Sequence, residues 1–228
     1  MSVAVNVDVW HVDLEESRWD DRAGTLAIYE LALAQRYRDP RLQAYSRRCG
    51  AALRQLLATY VGRAPGELVF RYSAYGKPLL ADEHCHFNVS HSGNRALIAV
   101  SSQPIGIDIE AIAMSAHEVE QLTELIFHPL ERQAFDETPA AIRAQWFYSI
   151  WTMKEAYCKA LGTGLQKNLP SIQMTPSHEN QSALVIDATA KRGEGYFLHE
   201  LPAMPGFATS LCLGKPRINL NFAPFMPD

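Results

Sequence analysis

Asp108 and Glu110 stand two residues apart in Ile105-Gly106-Ile107-Asp108-Ile109-Glu110. The run predicts a strand, and side chains alternate across a strand, so both carboxylates share one face while Ile105, Ile107 and Ile109 take the core face. Two neighbouring carboxylates repel and call for protons or a cation. Hard oxygen ligands in a small group suit Mg²⁺, which keeps several waters and is completed by phosphate oxygens. Two unrelated acids on an exposed strand face would have the same spacing.

Glu155 follows 45 residues after Glu110, inside a long apolar segment. It shares a helical face with Trp151 and Lys159, four residues to either side. An ordinary surface Glu–Lys pair is one account of it; a third ligand beside two tryptophans and Lys154 is the other. Gly76-Lys77-Pro78 places a lysine at a turn, within reach of a phosphate as a point charge. Ser90-His91-Ser92-Gly93 offers hydroxyl and imidazole donors at a strand end, better suited to binding phosphate than to serving as a nucleophile–base pair. His84-Cys85-His86 matches no standard zinc spacing.

The elements that must position these groups are legible in part. Val3–Val12 alternates as a strand. Gly24–Tyr37 and Gln43–Val61 read as helices, Leu68–Tyr72 as a strand. Phe87–Gly93 reads as a strand running into a turn. Ala96–Ser101 and Ile105–Glu110 read as strands that pair as a hairpin across Ser101–Pro104. Helical segments follow at His117–Phe127 and Leu130–Phe135. The strongest helix starts at Thr138 and Pro139 and stops at Gly162 and Gly164. Its core stripe is Ile142, Trp146, Ile150, Met153, Tyr157 and Leu161. Ala183–Ile186 and Phe207–Cys212 are strand-like, and the tail from Pro216 reads as loosely ordered. These patterns predict an α+β chain with antiparallel sheets packed on helices.

Composition narrows the function. The 228 residues are 47% hydrophobic, enough for one or two cores, and a net charge of −4 does not suggest nucleic acid or membrane as a partner. The N-terminus does not read as a signal peptide and the four scattered cysteines suggest a reduced, cytoplasmic protein. Charge is uneven. Arg36–Arg63 holds seven arginines against Asp39, and Glu110–Glu137 seven acids against Arg132, which fits a polyanion pocket and a metal or partner region as well as two solvated faces.

Taken in order, Gly76-Lys77-Pro78, Phe87-Asn88-Val89-Ser90-His91-Ser92-Gly93, the Asp108/Glu110 strand, Phe127 with Glu131, and Trp151-Thr152-Met153-Lys154-Glu155-Ala156-Tyr157-Cys158-Lys159 form a set. The set resembles the 4'-phosphopantetheinyl transferases of the larger monomeric class. The resemblance implies two similar α/β halves with pseudo-twofold symmetry, divided near Gln103 into residues 1–103 and 104–228, with the active site between them. It implies transfer of 4'-phosphopantetheine from coenzyme A to a serine of an acyl or peptidyl carrier protein of fatty-acid, polyketide or nonribosomal peptide synthetases. Adenosine 3',5'-bisphosphate would leave. Asp108, Glu110 and Glu155 would hold Mg²⁺. Lys77, Pro78, Ser90, His91 and Lys159 would contact the coenzyme. Glu155, directly or through a metal-bound water, and Lys159 would be catalytic.

The family's phosphate-binding arginine on the Gln43–Val61 helix falls on Tyr45 here, and Arg48 is the preferred replacement, with Arg41 and Arg47 as alternatives. The carrier would dock near Phe127–Phe135. A non-catalytic coenzyme A or nucleotide-binding module and a Mg²⁺-dependent phosphohydrolase are the rival functions.

Overall fold

The computed structural model describes residues 4–80, 85–164, 167–176, 182–187 and 195–226. Residue 84, and with it the full His84-Cys85-His86 run, lies outside them. The chain begins with β1 (Val5–Asp13), α1 (Ile28–Ala34) and α2 (Pro40–Val61), followed by a small antiparallel pair, β2 (Phe70–Tyr72) and β3 (Pro78–Leu80). Next come β4 (His86–Ser92), β5 (Arg95–Ser101) and β6 (Ile105–Ala111). Four helices then run in succession: α3 (Ala116–Glu120), α4 (Thr123–Ile126), α5 (Pro129–Glu137) and α6 (Arg143–Leu161). Five strands finish the chain: β7 (Ile172–Pro176), β8 (Ser182–Asp187), β9 (Tyr196–His199), β10 (Phe207–Leu213) and β11 (Ile218–Pro224).

The strands form two main sheets, ordered β11-β1-β5-β4 and β6-β10-β9-β8-β7. All their pairings are antiparallel except β1 with β11. The sheets pack face to face through Val7, Val9, Leu97 and Ala99 on one side and Ile105, Ile107, Ile109, Leu211 and Leu213 on the other. The alternate residues of β5, Ala96, Ile98 and Val100, face α2, and the outer face of the second sheet, with Ala208 and Cys212, is covered by α6. The expected α+β class is what results, with each sheet backed by one long helix. Because β5 is apolar on both faces it sits inside a sheet and between layers at once.

Local chemistry fixes the two long helices. Asp39 caps α2 by accepting the Arg41 N–H at 2.8 Å, Pro40 opens it, and Gly62 ends it at φ 65°. Gly162 ends α6 at φ 71°. The start of α6 differs from expectation. Thr138 closes α5 instead, its hydroxyl donating to the Ala134 carbonyl. A 3-10 turn over Ala140–Ile142 intervenes before Arg143. The buried arc of α6 is also wider than the expected stripe, taking in Phe147, Tyr148, Thr152, Lys154, Ala156, Cys158 and Ala160, while Ile142 is half exposed.

Two further expectations are corrected. β5 and β6 do not form a hairpin: β5 pairs with β4 and β1, and β6 with β10. The isoleucine face of β6 is satisfied by stacking on the first sheet rather than extending it. The tail is not loose either. Ile218, Leu220 and Phe222 pack into the core between the sheets, and β11 is parallel to β1 with Val5 opposite Ile218. Phe127 and Phe135, the ends of the expected docking segment, are core residues, and the exposed large apolar side chain within that segment is Leu130. Among the described residues no helix is long and apolar enough to cross a membrane.

One buried ion pair organises the second half. Lys154 Nζ lies 2.7 Å from Glu131 Oε2 and donates to the carbonyls of Ile126, Leu169 and Ile172. Glu131 in turn accepts the His128 and Met174 N–H groups. Both side chains are within 4% of full burial. Removing one partner of such a pair leaves an uncompensated charge, so Glu131→Gln is expected to lower unfolding free energy by about 3–5 kcal/mol. Urea denaturation monitored by tryptophan fluorescence measures it.

Candidate active site

β4 and β6 are the edge strands of different sheets and run beside each other. Side chains rather than a backbone ladder join them. Asn88, Ser90 and Ser92 recur at two-residue spacing on β4, so they form one row. Asn88 Oδ1 accepts the Ile107 N–H at 2.8 Å, Ser90 Oγ donates to Asp108 Oδ1 at 2.7 Å, and Ser92 Oγ donates to Glu110 Oε2 at 2.8 Å. Ser92 Oγ also accepts the Ala111 N–H at 3.0 Å.

Helix α6 closes over the same face of β6. It comes so near that a Cβ on Gly106 would lie 2.0 Å from the Ala156 carbonyl oxygen and 2.3 Å from the Ala160 nitrogen. Only glycine permits that approach. It sets Glu155 and Lys159, both on α6, against Asp108 and Glu110. Lys159 Nζ sits 2.5 Å from Asp108 Oδ1, 2.8 Å from Ser90 Oγ and 3.9 Å from Glu155 Oε2. Trp151 lies near enough to Glu110 to favour its ionised form slightly. Spacing therefore told correctly that Asp108 and Glu110 share a face, and the α6–β6 contact supplies the meeting with Glu155.

The three carboxylates are all harder to ionise than usual. Burial raises Asp108, opposed by Lys159 and Ser90. Burial raises Glu110, with the Asp108 charge adding to it and Ser92 opposing. Burial, then the charges of Asp108 and Glu110, push Glu155 up to about 7, with Lys159 opposing. Asp108 Oδ2 is buried and finds no hydrogen-bond partner among the described residues. Among the described residues no three His, Cys, Asp or Glu side chains stand in ligating positions as placed, and Lys159 is the cation between them. A lone-pair oxygen with no donor, amid oxygen-only groups with excess negative charge, nevertheless fits a hard divalent ion.

Cavities open on both sides of this seam. One, of about 240 Å³, is lined by Tyr75, Lys77, Pro78, Glu155, Lys159 and Gly162 among others. Lys77 Nζ donates to the carbonyls of Ile105 at 2.9 Å and Lys159 at 2.6 Å, tying the β3 turn to β6 and to the end of α6. Burial, with a smaller push from Lys159, brings its pKa down to about 8. The other cavity, of about 150 Å³, is lined by Tyr37, Leu42, Tyr45, His91, Ser92 and Gly93. His91 titrates below the ordinary histidine value because it is buried and close to Lys159, so its ring is neutral at pH 7.

Arg48 is not brought to the seam. Its fork pairs with Asp20 at 2.8 and 2.6 Å, and its remaining nitrogen donates to the Leu14 and Glu15 carbonyls. Arg41 is held by Glu15 and by the Tyr45 hydroxyl. The arginine-rich stretch thus finds internal acids, which charge counting along the chain could not reveal. Sequence reasoning also missed Asn88 and Ser92 as partners of the β6 face. The 88/90/92 alternation was the available signal.

Residues 104–212 match the 4'-phosphopantetheinyl transferase superfamily. The chain is 37% identical over 168 residues to 4'-phosphopantetheinyl transferase HetI of Nostoc sp., covering 71% of this chain and 70% of that protein. It is 34% identical over 165 residues to a 4'-phosphopantetheinyl transferase of Bacillus subtilis, covering 72% and 71%. The corresponding figures for 4'-phosphopantetheinyl transferase gsp of Aneurinibacillus migulanus are 32% over 171 residues, 74% and 68%. A holo-(acyl-carrier-protein) synthase from Bacillus anthracis, solved in complex with CoA (3',5'-ADP), overlaps 48% of this chain and 92% of its own at 22% identity and TM-score 0.40, a likeness too slight to build on.

Proposed function

The chain belongs to the 4'-phosphopantetheinyl transferase superfamily, and we propose that it transfers 4'-phosphopantetheine from coenzyme A to a serine of an apo carrier protein. Carrier domains of fatty-acid, polyketide and nonribosomal peptide synthetases are the substrates to try. The observation that carries the reading is the convergence of Asp108, Glu110, Glu155 and Lys159 on one seam between two cavities. The division at residue 103 assigns coenzyme contacts to the first half and the carboxylates to the second, although β11 returns to the first sheet.

The carrier serine oxygen attacks the phosphorus that bears the pantetheine arm, and the bond from that phosphorus to the bridging oxygen breaks. Adenosine 3',5'-bisphosphate leaves. Asp108, Glu110 and Glu155 would hold Mg²⁺, which neutralises charge on the pyrophosphate oxygens when bound. Glu155, directly or through a metal-bound water, takes the serine proton. Lys159 offers its ammonium to the departing phosphate. The neutral His91 ring donates a hydrogen bond to a phosphate oxygen, Ser90 keeps its proton on Asp108 beside it, and Lys77 with the Pro78 backbone lines the coenzyme side. Arg48, committed to Asp20, has no part in this assignment.

Incubation with coenzyme A and Mg²⁺ but no carrier separates the rivals. The transferase leaves the coenzyme intact. Steady release of bisphosphate would favour a phosphohydrolase, and coenzyme binding without transfer in any carrier mixture would favour a binding module.

A pH dependence follows from Glu155. Its folded pKa lies above its unfolded value, so the stability it contributes is present below about pH 4.5 and is lost as pH rises through about 7. A divalent ion bound to the ionised group restores that loss. Mg²⁺ should therefore raise the melting temperature more at pH 8 than at pH 6, as followed by differential scanning fluorimetry. An equal shift at both pH values would contradict the role of Glu155 as ligand.

A further inference from the structure

We propose that Ser92 is a positioning residue for Glu110, and through it for the divalent-cation site, an inference that rests on the metal reading above. Its hydroxyl has no freedom of direction. The Ala111 N–H donates to Ser92 Oγ at 3.0 Å, so the hydroxyl proton is directed to Glu110 Oε2 at 2.8 Å. Glu110 is the outer carboxylate of the pair, half-buried where Asp108 is 1% exposed. Its three side-chain torsions would otherwise leave it several rotamers in the cleft. Ser92 fixes one oxygen from the β4 side. The carboxylate is thus tied across the gap between the two edge strands that together build the site. Ser90 treats Asp108 in the same way one step along the row, but that hydroxyl also receives Lys159. Among the described residues Ser92 Oγ serves Glu110 and the adjoining Ala111 backbone.

Partners that orient a metal ligand change metal affinity without touching the metal, by about 10–100-fold when lost. The test is Mn²⁺ binding to the full chain, without coenzyme or carrier, by electron paramagnetic resonance of free Mn²⁺ at pH 8. Wild type should bind Mn²⁺, and failure to bind would overturn the metal reading itself. Given binding, Ser92→Ala should weaken the Kd about 10-fold, and Ser92→Thr should recover most of it. A purely structural role predicts a lower melting temperature with the Mn²⁺ Kd unchanged in the folded protein. That result, or equal weakening by Ala and Thr, would overturn the proposal.

Discussion

Glu155→Gln should reduce phosphopantetheine transfer by about a thousand-fold while the protein still binds coenzyme A. Glutamine keeps the shape and loses both the charge and the ability to accept a proton. The coenzyme contacts proposed for Lys77 and His91 do not involve Glu155, so binding followed by calorimetry should change little. The same substitution should leave the metal-free fold at least as stable. Ionised Glu155 sits against the charges of Asp108 and Glu110, and its pKa near 7 means that ionisation is disfavoured in the folded state. Removing the charge relieves that repulsion, so the variant should melt at or above the wild-type temperature at pH 8 in the presence of a chelator. Lost activity with unchanged or raised stability separates a chemical role from a structural one. Retained transfer would remove Glu155 from both the ligand set and the proton step.

Gly106→Ala should cost about 3 kcal/mol or more and should impair activity beyond what unfolding explains. The added methyl would meet the Ala156 carbonyl oxygen at 2.0 Å and the Ala160 nitrogen at 2.3 Å. Both obstacles are helix backbone, so no side chain can swing away, and overpacking of this kind typically costs 1–3 kcal/mol even where neighbours yield. Relief requires α6 and β6 to part. That movement separates Glu155 and Lys159 from Asp108 and Glu110, the groups whose meeting makes the site. Urea midpoints measure the first effect, and the transfer rate of the fraction still folded measures the second. A variant with wild-type stability would show that the α6–β6 contact is slack.

Local signals carried much of this structure. Alternation in Ile105–Glu110 placed two carboxylates on one face and three isoleucines on the other, because strand geometry makes that choice residue by residue. The long helix around Glu155 and its glycine stop were equally local. Pairing was not. The hairpin expected for β5 and β6 fails because both edges of β5 are already taken, one by β4, joined to it through Gly93 and Asn94, and the other by β1, far up the chain. β11 was missed although Ile218, Leu220 and Phe222 alternate cleanly, because Pro216 before it and Pro224 at its end are poor strand residues and its partner β1 lies at the other end of the chain. Lys154 looked like part of the chemical set and is instead a buried tie to Glu131, while Arg48 looked like a phosphate ligand and is tied to Asp20. In both cases the deciding partner is distant in sequence. The approach of Glu155 to Asp108 was of the same kind, and only the ordered family motifs anticipated it.

The most direct test of transferase function is the intact mass of an apo carrier protein after incubation with this protein, coenzyme A and Mg²⁺. A gain equal to one phosphopantetheine is expected on at least one carrier from a panel of fatty-acid, polyketide and peptide synthetase domains. The gain should disappear when the carrier's acceptor serine is replaced by alanine and when a chelator removes the metal. No gain on any carrier, with the protein folded and coenzyme A bound, would contradict the account.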